Sequence, residues 1–160
     1  QESVCESCDF RLNEEMEEKD ILLAIQGTLP QGIEITSASE PTYEAKDIRW
    51  AQYEITIFDN LEKVKSAIEG YEKSQTAIVT KTSKKSGEKQ INLKELVKNL
   101  KISTTNLEEI SFTALFPAGT QLNINPTLLL DFLQSNYEIK TLDANILRQQ
   151  LFNENLEILT

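Results

Sequence analysis

The sequence predicts an α+β protein: two small, mainly antiparallel sheets with helices packed on their faces, ferredoxin-like elements among them. Three observations predict it. AQYEITIF at 51–58 alternates, placing Ala51, Tyr53, Ile55 and Ile57 on one strand face. Leu61, Val64, Ile68 and Tyr71 follow at helical spacing. TAIVTKT and QINL then flank KKSGEK, the pattern of a β-hairpin.

The elements follow in order. CDFRL at 8–12 alternates and suits a strand. NEEMEEKD leads into ILLAIQGTL, a helix over 18–28 that stops before Pro30, with Asn13 or Asp20 as its cap and acids in its first turn to suit the dipole. Pro30-Gln31-Gly32 is turn chemistry, and IEITSASEP reads as a strand ending at Pro41. Asp59 stands three before Glu62, a capping box for a helix over 60–73. LKELVKNLKI holds one helical turn before returning to strand. LEEISFTALF is a strand closed by Pro117 and Gly119. Asn125-Pro126 opens a helix over 126–136, a cap residue followed by proline at the first position. ANILRQQLF alternates weakly and reads as the last strand. A modest composition shift around 72–76 divides the chain into two α+β halves, 1–73 and 74–160, with no repeat and no linker.

Length and composition bound the function. A chain of 160 residues suits one domain or two very small ones, with enough surface to bury a core. No run approaches the ~18 apolar residues of a membrane span. The start, QESVCESCDF, lacks both an initiator Met and a signal-peptide pattern, which suggests a mature product or an excised piece, cytoplasmic by default. There is no histidine, which removes the commonest general base and metal ligand together. A net charge of −10 opposes wholesale binding to nucleic acid. The charge is uneven, however. Residues 1–20 hold eight acids and two bases, whereas 78–101 hold seven lysines against Glu88 and Glu95, a local +5 that leaves −15 elsewhere. One basic face is therefore where a polyanion or acidic partner would be met.

Most of the candidate residues have two readings. Lys81, Lys84, Lys85 and Lys89 of the hairpin are either a solvated edge that resists aggregation or a binding surface for phosphate or an acidic partner. Without interleaved aromatics the hairpin would follow a backbone rather than read bases. Cys5 and Cys8, in C-E-S-C, are structural or incidental thiols, or else a metal or redox pair; no third cysteine completes a shell. The acidic run Glu14, Glu15, Glu17 and Glu18 reads as a solvated helix start. Trp50 beside Arg49 is a core residue or a stacking platform. Arg148 is an ion-pair partner or a phosphate contact. Asn125, at a helix start, offers backbone N–H groups to an anion.

Three stretches together resemble a known family. They are CDFRLNEE with LLAIQGTLPQGIEITSASE, the hairpin AIVTKTSKKSGEKQINLKELVKNL, and AGTQLNINPTLLLDFL followed by ILRQQLF. The hairpin is the most specific. They are similar to the radical SAM-linked domain of unknown function, found at the C-terminus of bacterial radical S-adenosylmethionine (SAM) proteins, some cobalamin-binding, and also as a separate chain. Residues 33–57 are also faintly similar to a strand–loop–strand of tRNA pseudouridine synthases. The first resemblance implies a parent protein with a 4Fe–4S cluster, SAM and in some cases cobalamin. The CxxxCxxC signature is not in this sequence, so the cluster would belong to another portion of the parent and no cofactor to this one. The expected function is a non-catalytic domain that positions a macromolecular substrate, RNA above all, through the hairpin. The alternatives are a protein-interaction module that docks its own enzyme domain or a ribosome-associated partner, and a small redox or metal protein acting through CESC.

Overall fold

The computed structural model describes residues 2–83, 87–105 and 109–159. In chain order its elements are β1 (Glu2–Ser3), α1 (Glu18–Gln26), a 3-10 turn (Ala45–Asp47), β2 (Trp50–Ile57), α2 (Leu61–Lys73), β3 (Ile78–Ser83), β4 (Gly87–Asn92), α3 (Leu93–Leu96), β5 (Lys98–Thr105), β6 (Ile110–Pro117), α4 (Thr127–Tyr137) and β7 (Asn145–Phe152). Among the described residues the protein is α+β, with a five-stranded mixed sheet, β1-β7-β2-β6-β5, and a separate two-stranded antiparallel sheet, β3-β4. No helix of the described residues is long and apolar enough to cross a membrane.

The chain divides into two compact units, Gln1–Glu6 with Ala45–Thr160, and Ser7–Glu44. In the larger unit β2, α2, β5, β6, α4 and β7 follow the βαββαβ order of a ferredoxin-like fold. The β2–β6, β2–β7 and β5–β6 ladders are antiparallel, and β1 adds a short parallel pairing on β7. The β3–β4 hairpin and α3 are an insertion between α2 and β5.

Strand β2 alternates as its sequence requires: Ala51, Tyr53, Ile55 and Ile57 are buried and the residues between them only partly so. The buried set meets Ile110, Phe112, Ala114 and Phe116 of β6, Val64, Ala67, Ile68 and Tyr71 of α2, and Leu129, Leu130, Phe132 and Leu133 of α4 in one cluster. Edge-to-face aromatic pairs reinforce each layer, Tyr53 to Phe116 between two strands of the sheet and Tyr71 to Phe132 between α2 and α4.

Burial pushes the Tyr71 phenol from its ordinary 10.0 up to about 12. A raised folded-state value leaves stability whole below pH 10 and removes it as pH climbs through 12. Alkaline titration should therefore cost about 2–3 kcal/mol across that window. Tyr71→Phe should flatten the fall in urea midpoint between pH 9.5 and 12; an unchanged profile would contradict this assignment.

Helix α2 begins one residue later than the capping-box pattern implies. Its cap is Asn60, whose Oδ1 accepts from the N–H groups of Glu62 and Lys63 at 3.1 and 3.2 Å. Asp59 is used differently. It accepts from Lys140 N at 2.8 Å and from Asn60 N at 2.7 Å, and these two bonds hold its carboxyl below the usual carboxylate range.

In the smaller unit no described residue is fully buried, which overturns two strand expectations. Residues 8–12 and 33–41 are not strands. Alternation alone does not make a strand, because the ladder needs a partner and a face to bury. Phe10, Leu12 and Ile33 stay exposed. The Gln26 side chain takes the partner's place for residues 33–35, donating to Ile33 O and accepting from Ile35 N. Neither Asn13 nor Asp20 caps α1, whose cap position is Glu17 with no side-chain bond.

Candidate functional site

The hairpin register fixes which lysines share a face. Lys81 and Lys89 are direct cross-strand partners, flanked by Val79 opposite Ile91 and Ser83 opposite Gly87. Val79 and Ile91 pack against the core, so this face continues inward from the lysine pair. Like charges carried by residues directly opposite on paired strands are unfavourable. No carboxylate relieves them among the described residues: Lys81 Nζ donates to Asn123 O, and the exposed Lys89 makes no bond. Lys84 and Lys85 lie outside the described residues.

The base of the hairpin is tied to the helix layer. Asn92 Oδ1 accepts from Ala77 N at 2.8 Å and Lys94 N at 3.2 Å, and its amide donates to Glu95. Leu93 N donates to Ala77 O, and the Tyr71 hydroxyl donates to Leu93 O. Asn92→Ala would strand the N–H of buried Ala77 and remove the α3 cap, at about 2 kcal/mol. The expected result is a lower urea midpoint with faster amide exchange across β3 and β4; exchange unchanged there would show that Asn92 does not anchor the hairpin.

Charge density read along the chain overstates how many lysines are available. Lys94 Nζ donates to Tyr71 O and Glu72 O at 3.1 Å each, neutralising carbonyls at the end of α2, and lies 4.6 Å from the Tyr71 ring centre. Lys98 stands 3.9 Å above the ring of Trp50, a half-buried residue rather than a core one. Lys89 and Lys101 are the described lysines of the window left exposed and unbonded.

Lys81 and Asn125 are brought to one loop. Lys81 reaches the carbonyl of Asn123, two residues before Asn125, and α4 packs beside β3. The first N–H groups of α4 already have partners, however. Thr127 N donates to Asn125 Oδ1, Leu128 N to Asn125 O, and Leu129 N to Pro126 O. α4 begins at Thr127, one residue later than the Asn-Pro pattern implied: Pro126 stands at the cap position with helical dihedrals, and the Asn125 side chain takes up the Thr127 N–H from one residue before it. The α4 first turn carries no acid to balance the positive end of its dipole.

Arg148 is engaged elsewhere. Its guanidinium pairs with Glu6 and donates to Ser3 Oγ at 3.3 Å, and its carbonyl accepts from Val4 N. Arg148 therefore fastens β1 onto β7. Cys5 is half-buried, with its thiol 3.7 Å from the Arg148 carbonyl, while Cys8 is exposed in the smaller unit. Among the described residues no three Cys, Asp or Glu side chains gather as a metal group. Asn92 and Lys94 are the structural residues that the sequence left unmarked; the N-L-K-E cap pattern at 92–95 is the signal for the first.

A family model matches residues 1–126, from β1 through the hairpin and β6 to the start of α4. The chain belongs to DUF2344, described as an uncharacterized protein conserved in bacteria. The hairpin of this DUF2344 chain falls inside the matched region, whereas α4, β7 and Arg148 fall beyond it. No curated protein and no solved structure matches the chain.

Proposed function

We propose that this DUF2344 chain is a non-catalytic holding domain of a bacterial radical SAM protein, or a companion to one. It would position a polyanionic substrate, RNA, through the Lys81–Lys89 hairpin. The observation that carries this reading is the cross-strand lysine pair, an unfavourable arrangement with no carboxylate paired to it among the described residues. The resemblance of the hairpin sequence to radical SAM-linked domains supports the parent. Two thiols do not make the set that a SAM-binding cluster needs, so the cluster, SAM and any cobalamin would be held by the parent and not by Cys5 and Cys8.

The test is binding of a fluorescently labelled single-stranded oligoribonucleotide to the full chain over a salt series. Affinity should fall linearly on a log–log plot, with a slope near −0.7 for each phosphate contacted. No binding at low salt, or a flat slope, sinks the reading. A second reading, a module that docks protein, is favoured by the outer edges of β3 and β4, which pair with no further strand among the described residues, and by exposed Ile78. It predicts capture of an acidic partner that survives nuclease treatment.

A further inference from the structure

We infer that the face of the five-stranded sheet opposite α2 and α4 binds a single nucleotide in a groove lined by β2, β5, β6, β7 and the turn after β7. On β2 the residues between the buried ones, Trp50, Gln52, Glu54 and Thr56, point to this face. The register extends it across the sheet: Gln52 lies opposite Leu115 of β6 and Gln150 of β7, and Thr113 of β6 lies opposite Lys101 of β5. Gln52, Lys101, Thr113 and Leu115 line a groove of about 270 Å³ together with Asn99, Phe152 and Leu156. That volume lies just below the range for drug-sized ligands, so it suits one ring-bearing unit.

Two kinds of irregularity converge on this groove. The β5–β6 ladder bulges between Lys98 and Lys101, and the β2–β7 ladder slips at Gln52/Tyr53. Of the three non-glycine residues with positive φ among those described, Asn99 at 52° and Leu156 at 63° both line it. Asparagine tolerates that region, but leucine does not enter it unforced. Leu156 is held there by a turn in which Asn153 Oδ1 accepts from Asn155 N and Glu157 N. Bulges and strained residues collect where a surface is shaped for a ligand.

The chemistry of the lining selects the ligand. Leu115, Phe152 and Leu156 form an apolar floor with one aromatic ring. The side chains of Gln52, Asn99 and Thr113 make no hydrogen bond among the described residues, and Lys101 makes no ion pair. The nearby carboxylate, Glu54, is occupied by Ser103 and Gln149. Two amides, a hydroxyl and one free cation over an apolar floor complement a flat heteroaromatic ring that carries mixed donors and acceptors and one anionic group. A nucleotide has that chemistry, whether free or as a unit of single-stranded RNA. By analogy alone, four-stranded βαββαβ sheets stack bases on this same face.

The experiment is amide NMR of the isotope-labelled full chain, titrated separately with AMP, GMP, CMP, UMP and a uridine tetranucleotide. At least one probe should give saturable shifts at Gln52, Lys101, Thr113 and Phe152. Lys101→Ala and Thr113→Val, each shown to melt like the parent, should weaken binding roughly tenfold. Tighter binding of a monophosphate assigns the site to free nucleotide, and tighter binding of the tetranucleotide assigns it to a strand. Absence of saturable shifts at these residues with all five probes, or shifts unaltered in the Lys101→Ala/Thr113→Val double variant, overturns the inference. Because the readout is confined to the sheet face, the result is independent of the hairpin reading.

Discussion

Phe112→Ala is expected to lower folding stability by about 3–5 kcal/mol, read as a fall in urea midpoint at constant m value. Phe112 has no exposed surface and sits in β6, which is laddered to β2 on one side and β5 on the other. Its direct partner on β2 is Ile55, also fully buried. With backbone hydrogen bonds on both flanks, the sheet cannot close over a missing ring, so the cavity term adds to the lost transfer energy. A domain of this size holds about 5–15 kcal/mol, so the variant should approach the edge of folding at 37 °C. Phe112→Leu keeps most of the volume and should cost about 1.5 kcal/mol or less. A loss below 1 kcal/mol for the alanine variant would mean that the helix-side face of β6 is not the centre of the core.

Local patterns revealed elements where local chemistry decides them. The alternation of β2 and the helical stripe of α2 were legible because each has one buried face and a solvated opposite one. The 33–41 segment has a similar pattern but finds no partner strand among the described residues, and a pattern in one strand says nothing of its neighbour. β7 alternates weakly for a definite reason. Ile146 and Leu151 both enter the core although five residues apart, an odd spacing made possible by the slip that places Arg148 opposite Tyr53 and Gln150 opposite Gln52. The sheet order, with β7 beside β2 and β5 outside β6, depends on long-range pairing that no window of sequence contains.

The candidate site was legible in outline only. The basic hairpin and the Asn125 bond at the start of α4 follow from residues adjacent in sequence. Which lysines remain free does not, because their partners are carbonyls and ring faces far along the chain: Asn123 for Lys81, Tyr71 and Glu72 for Lys94, Trp50 for Lys98. Arg148 likewise pairs with Glu6, 142 residues away in sequence. Local charge density measures the potential around a segment, whereas the folded contacts decide how much of it is presented to a ligand.

Replacing Lys81, Lys84, Lys85 and Lys89 together with glutamate should weaken RNA binding by roughly 10²–10³-fold at moderate salt and flatten the salt slope by about three units. The variant turns four cations into four anions, so reduced affinity alone would not separate a lost contact from a damaged hairpin. The single variant Lys89→Glu makes that separation. It leaves the Lys81 bond to Asn123 intact and converts a repulsive cross-strand pair into an attractive one. Hairpin stability should rise by about 0.2–1 kcal/mol, seen as slower amide exchange in β3 and β4, while RNA affinity falls. Opposite signs in the two measurements are what a binding surface requires, since its lysines stand against each other at the expense of the fold. If Lys89→Glu steadies the hairpin and RNA binding is unchanged, the lysines are a solvated edge, and the partner must be met by another surface.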